Sequence, residues 1–170
     1  MKHLKYFKEG NINNNFLGNI GIIVGSYLET ALWTEGDESN DEEEENELAD
    51  KSIYDFSDIA KFKAKYEIEW FTDTVCYIYP NAFSSVSNTS IGHDLWLSRN
   101  GHGAGFFDRY YEEDIKDLLM YLSRLLGQIN LEVVDDKVEF FGGTDKYKAF
   151  DVEKYKKDTE LKNDTKKYNL

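Results

Sequence analysis

A single cysteine, Cys76, leaves the chain with no internal disulfide to close. It falls inside an apolar helical pattern, where a buried structural thiol is the expectation. Its aromatic and acidic surroundings disfavour the thiolate that a nucleophile needs. No uncharged apolar run approaches the roughly 20 residues that a bilayer crossing requires. The opening MKHLKYFKEG is basic but is followed by no apolar core or small-residue cleavage site, so it does not read as a secretory leader. Together these absences place the expected compartment in reducing cytosol. Proline is also scarce: Pro80 alone interrupts the chain and marks the end of a helix.

What the chain has in excess is acid, and it is local. The formal charge is -13, and Glu35, Asp37, Glu38, Asp41, Glu42, Glu43, Glu44, Glu45, Glu47 and Asp50 supply -10 of it within sixteen residues that hold no base. Such a block repels itself and reads as a solvated linker or an interaction segment. Its sign argues against direct nucleic-acid binding, which needs Lys and Arg against phosphate. It favours competition for a basic, nucleic-acid-binding surface on another protein. At 170 residues, 41% hydrophobic and 15% aromatic, the remainder can bury a core as one domain.

Apolar spacing organises that domain. Ile20, Ile23, Val24, Tyr27, Leu28, Ala31 and Leu32 recur on one helical face, predicting a helix from about Phe16 to Trp33 after an N-terminal loop over residues 1–15. Gly18, Gly21 and Gly25 weaken it by roughly 1 kcal/mol each relative to Ala, and mark either close packing or a late start. After the acidic linker, Ala64, Ile68, Phe71, Val75 and Ile78 predict a central helix from about Ser57 to Tyr79, with Ile59, Phe62, Tyr66 and Trp70 beside that face. Residues 94–98 are apolar on both alternate sides, and Asn100-Gly101-His102-Gly103 carries turn chemistry, so a hairpin is expected there with 105–107 as its second strand. Ile115, Leu118, Leu119, Leu122, Leu125 and Leu126 make the clearest helical stripe, with acids Glu112 to Asp114 at its start and Gly127 at its end. Ile129, Leu131 and Val133 then alternate, Asp135-Asp136-Lys137 turns, and Val138 to Phe141 returns. The expected fold is thus α+β: two N-terminal helices, then ββαββ, with an antiparallel sheet packed on helices across residues 16–143. Residues 144–170 form a Lys-rich polar tail, read as mobile, with a marginal polar helix as the alternative.

Chemistry concentrates in Gly92 to Arg109, GHDLWLSRNGHGAGFFDR. Two of three histidines, two of three arginines and four glycines lie in these 18 residues. In the expected hairpin, His93 and His102 stand at opposite ends about 20 Å apart, which opposes a shared metal site. His93 with Asp94 or Asp108 fits an acid–base pair, as in hydrolases, but no nucleophile has a recognisable setting. The glycine turn is too short, and too far from a helix start, for a phosphate loop. The alternative is that these residues satisfy one another, Asp108 with Arg99 or His93 and Asn100 with turn amides.

This segment resembles the signature of a widespread family of small phage proteins that reads close to GHDFWLTRNGHGAGFWDR. The upstream run Ser26-Tyr27-Leu28-Glu29-Thr30-Ala31-Leu32-Trp33, and the downstream helix and hairpin with its Asp135-Asp136 turn, resemble the same family over about Gly25 to Gly142. Leu95 stands where the family has Phe, Phe107 where it has Trp, and Ser98 where it has Thr. The resemblance implies a phage or mobile-element origin and kinship with type II anti-CRISPR proteins, inhibitors of Cas9. The implied role is a non-enzymatic inhibitor in the bacterial host cytoplasm, without cofactor or metal. Its acidic tract would compete with nucleic acid for a basic defence nuclease, and Trp96, Arg99, Asn100, Phe106 and Arg109 on a rigid hairpin would dock. The rival reading is a small enzyme acting on a nucleotide or nucleic acid through His93, Asp94, His102 and Asp108. The oligomeric state stays open.

Overall fold

The computed structural model describes residues 19–36 and 47–168, and from 162 onward only the helical backbone. Among the described residues, five α-helices and one two-stranded antiparallel sheet follow in the order α1 (Ile20–Gly36), α2 (Asp58–Ile78), α3 (Asn88–Asn100), α4 (Glu113–Leu126), β1 (Ile129–Val134), β2 (Lys137–Gly142) and α5 (Val152–Tyr168). Short 3-10 turns cover Phe106–Asp108 and Lys146–Ala149. The mixed class is as expected, and ββαββ is not: the sheet has two strands among the described residues.

The correction falls on the motif. Asn88–Asn100 is a helix, and Phe106–Asp108 is a 3-10 turn where a return strand was expected. Ser87 caps α3 by accepting the Ser90 amide at 3.1 Å, and Gly101 ends it in the left-handed region at φ 77. From Ile91 to Arg99 every residue but His93 is buried. A helix packed on nearly all sides shows no polar stripe, so its sequence mimics a strand covered on both faces.

α1 and α3 cross most closely at Gly92, where an added Cβ would lie 2.2 Å from the Ile23 carbonyl oxygen and 2.9 Å from the Tyr27 nitrogen. Close packing is therefore required at Gly92. At Gly21 and Gly25 a Cβ would meet nothing within 4 Å. α2 runs as predicted, with Ser57 accepting the Ala60 amide at its start and Tyr79 at its end. Ala64, Ile68, Phe71 and Val75 face the core, while Ile59 and Phe62, expected beside that face, are 76% and 71% exposed.

α4 buries Leu118, Leu119, Leu122 and Leu126. The sheet follows directly: Asp135 and Asp136 both take positive φ (49 and 62), the two-residue turn that matches strand twist. Phe140 packs against Tyr27 and Trp96, and Phe56 adds a parallel bridge to Val138.

Of the two readings of the tail, the helix is what is observed over Val152–Tyr168. Tyr147 is 4% exposed and meets Trp70 at 4.9 Å between centroids; Phe150, Tyr155 and Tyr121 extend that aromatic contact. Aromatic burial supplies what the aliphatic-poor sequence lacks. Among the described residues, no helix is long and apolar enough to cross a membrane.

Candidate functional site

α3 carries the motif's polar residues into the interior, where each meets a partner. Asp94 is wholly buried and its carboxylate is clasped by Arg109, with Nε 2.8 Å from Oδ2 and Nη2 2.9 Å from Oδ1. This two-point contact is the strong form of the pair. It holds the Arg109 guanidinium above its ordinary value through hydrogen bonding and charge. It also ties the chain after the 3-10 turn back to the middle of α3.

Ser98 does the same for the glycine loop. Its hydroxyl accepts the Phe106 amide at 3.0 Å, and a Cβ on Gly105 would lie 2.3 Å from that oxygen. With φ at 128 as well, Gly105 admits no side chain. Phe106 is thereby set against Phe71, stacked at 5.6 Å. Trp96 is buried beside Tyr27, and its indole donates to the Thr34 hydroxyl at 2.7 Å.

Arg99 is a second buried charge on α3. Its Nη1 donates to Tyr27 at 2.8 Å and Glu67 at 2.6 Å, Nη2 to the Leu126 carbonyl at 2.9 Å, and Nε to the Gly127 carbonyl. One guanidinium thus joins α1, α2, α3 and the end of α4. Burial pushes the Tyr27 phenol up to about 12, against the opposing pull of Arg99. Arg99 is raised in turn: burial opposes its charge, but Tyr27 and Glu67 outweigh that. Asn100 completes the join to β1, its side-chain oxygen accepting the Ile129 amide at 2.9 Å and its carbonyl accepting Gln128 at 3.0 Å.

Of the four candidate catalytic residues, His93 and Asp94 meet each other, as one form of the expected acid–base pair required, while no contact joins His102 or Asp108 to them. His93 Nδ1 lies 3.2 Å from Asp94, and its ring stacks on Trp33 at 6.2 Å with 22° between planes. His102 Nε2 stands 3.9 Å from the Glu35 carboxylate. Asp108 is exposed on its 3-10 turn. The hairpin that was to separate the histidines is absent; instead both meet the last turn of α1, at Trp33 and Glu35. An open groove of about 340 Å³ lies elsewhere, lined by Tyr121, Leu125, Lys146, Phe150, Lys154 and Tyr155 among others, with no motif residue in its wall. Among the described residues, no three His, Cys, Asp or Glu side chains gather as a metal site would require.

The expected docking set is redistributed. Trp96 and Phe106 are fully buried and Arg99 is 2% exposed, so none presents a surface to a partner; Arg109 keeps half its side chain in solvent. Asn100 is engaged with β1 and Gln128. Of the acidic tract, Glu35 ends α1, and Glu47 and Asp50 lie in a turn before α2; Asp37, Glu38, Asp41, Glu42, Glu43, Glu44 and Glu45 lie outside the described residues.

Three residues that matter here were not singled out from the sequence. Glu67 left a signal, a carboxylate between Ala64, Ile68 and Phe71 on the buried face of a helix. Tyr27 and Trp33 were read only as part of the first helix and of the run that carries the family resemblance. Comparison with protein-family models, with curated proteins and with solved structures finds no match to this chain.

Proposed function

We propose that this chain is a non-enzymatic binding protein that uses its acidic tract to occupy a cationic, nucleic-acid-binding surface on another protein. The observation that carries this reading is the fate of the motif. Asp94, Ser98, Arg99 and Asn100 are consumed by contacts that hold the fold, and none of the candidate acid–base residues lines the open groove at Tyr121 and Tyr155. A site built for catalysis keeps its reacting groups convergent on a space for substrate. What is left for function lies outside these contacts, and in the sequence the acidity is concentrated in Glu35 to Asp50.

The partner class follows from charge: a Lys/Arg-lined channel that ordinarily holds nucleic acid. The resemblance to phage proteins narrows the proposal to a bacterial defence nuclease of the Cas9 type, inhibited by competition with nucleic acid. The test is inhibition of a Cas9–guide complex by the intact chain and by a variant with the ten acids replaced by Asn and Gln. Inhibition should weaken steeply as salt rises and should be lost in the neutral variant. Undiminished inhibition by that variant would falsify charge competition.

A further inference from the structure

Within the buried run Ile91–Arg99 of α3, His93 is the one residue left partly exposed, between a buried carboxylate and an exposed indole. Asp94 is 1% exposed at its side chain and held by Nε and Nη2 of Arg109, the latter on the same Oδ1 that His93 meets. Asp94 in turn meets His93 Nδ1 at 3.2 Å, and His93 lies nearly parallel to Trp33. Trp33 is 61% exposed, while Trp96 is fully buried and Trp70 packs under Tyr147 and Phe150. The chain Arg109–Asp94–His93–Trp33 thus ends on an indole with one supported face and one face in solvent.

Exposed tryptophan costs solvation, and a side chain held in one orientation loses little entropy on contact. Both properties mark interface anchors. The surroundings of Trp33 state what it would contact. Glu29 is exposed one helical turn earlier on the same side of α1, while Glu35, two residues on, is turned to His102. The acidic tract begins there. An indole face with a carboxylate beside it is matched by a planar cation, which stacks on the ring and bonds the carboxylate at its edge. Arginine fits this better than lysine, whose point charge lacks the planar stack.

We infer that Trp33, braced by His93, is the anchor of the binding surface and accepts an arginine side chain from a basic partner segment. The inference rests on the proposed charge-driven binding and adds the site at which it becomes specific. The closing experiment uses the full chain, with synthetic oligo-arginine and oligo-lysine peptides of equal length as probes, followed by tryptophan fluorescence and calorimetry. The arginine peptide should bind more tightly and perturb tryptophan emission. Trp33→Ala should weaken it about three- to fivefold, the size of an exposed cation–π contact. Trp33→Phe should fall between, and His93→Ala should give part of the loss while circular dichroism stays unchanged. If Trp33→Ala binds like the parent while the tract-neutralised chain does not, the anchor is overturned and the charge-driven reading stands. If the tract-neutralised chain binds as tightly as the parent, the reading beneath the anchor is overturned as well.

Discussion

Gly92 stands against the Ile23 carbonyl so closely that a Cβ would come to 2.2 Å of the oxygen, and the atom it would strike is backbone. The crossing of α1 and α3 is therefore set by the absence of a side chain. Gly92→Ala should cost about 3 kcal/mol, the upper part of the range for overpacking, read as a lowered urea midpoint. Gly25→Ala is the control. It has open space around it, and replacement should stabilise α1 by up to about 1 kcal/mol. Equal effects at the two positions would show that the helices part to accept the methyl group.

Arg99 and Glu67 carry the second prediction. Both are buried, 2.6 Å apart, in a junction that also takes in Tyr27 and two carbonyls at the end of α4. Glu67→Ala leaves a guanidinium in the interior without its counter-charge and should destabilise by about 3–5 kcal/mol. Replacing both residues with methionine leaves no charge to strand, and should cost less than Glu67→Ala alone. Chemical denaturation of the single and double variants decides it; a double variant as weak as the sum of its parts would mean that the pair is not coupled.

The elements that could be read from sequence are those with one wet face. α4 shows its leucine stripe because the opposite side is solvated, and β1–β2 show alternation and a turn sequence for the same reason. α3 hides because its surroundings supply partners for Asp94, Ser98 and Arg99, so polar residues sit inside and the helical period vanishes. Gly101 and Gly103, read as a hairpin turn, do take positive φ, but one caps a helix and the other lies in the loop that follows. The expectation that the motif's residues satisfy one another holds with different pairs. Arg109, not Arg99, takes the carboxylate, and that carboxylate is Asp94, not Asp108. Pairings between residues fifteen positions apart depend on the turn between them, which a strand assumption placed wrongly.

Cys76 gives a prediction about reactivity. Burial, and then the negative charge of Asp73, push its thiol up to about 11. Almost none of it is thiolate at neutral pH, so it should react with a disulfide reagent far more slowly in the native chain than in denaturant. A native rate equal to the unfolded rate would overturn the structural role assigned to this cysteine.

Asp73 sits one turn before Cys76 on α2, and burial, with a smaller contribution from Glu69, raises its carboxyl to about 6 from an ordinary 3.8. Below pH 4 the group is protonated folded or unfolded and contributes nothing to the difference. Between 4 and 6 only the folded chain holds the proton, and above 6 both states are ionised, with the folded one carrying a partly desolvated charge. Stability from this residue therefore falls as pH rises through that window and stays reduced at pH 7. The group is partly exposed, and solvent screening limits the effect to roughly 1 kcal/mol. Asp73→Asn should accordingly stabilise the protein at pH 7 and lose that advantage at pH 4, measured by urea denaturation of both chains across the range. A variant less stable than the parent at pH 7 would mean that the carboxylate holds a favourable partner and that its burial is not a cost.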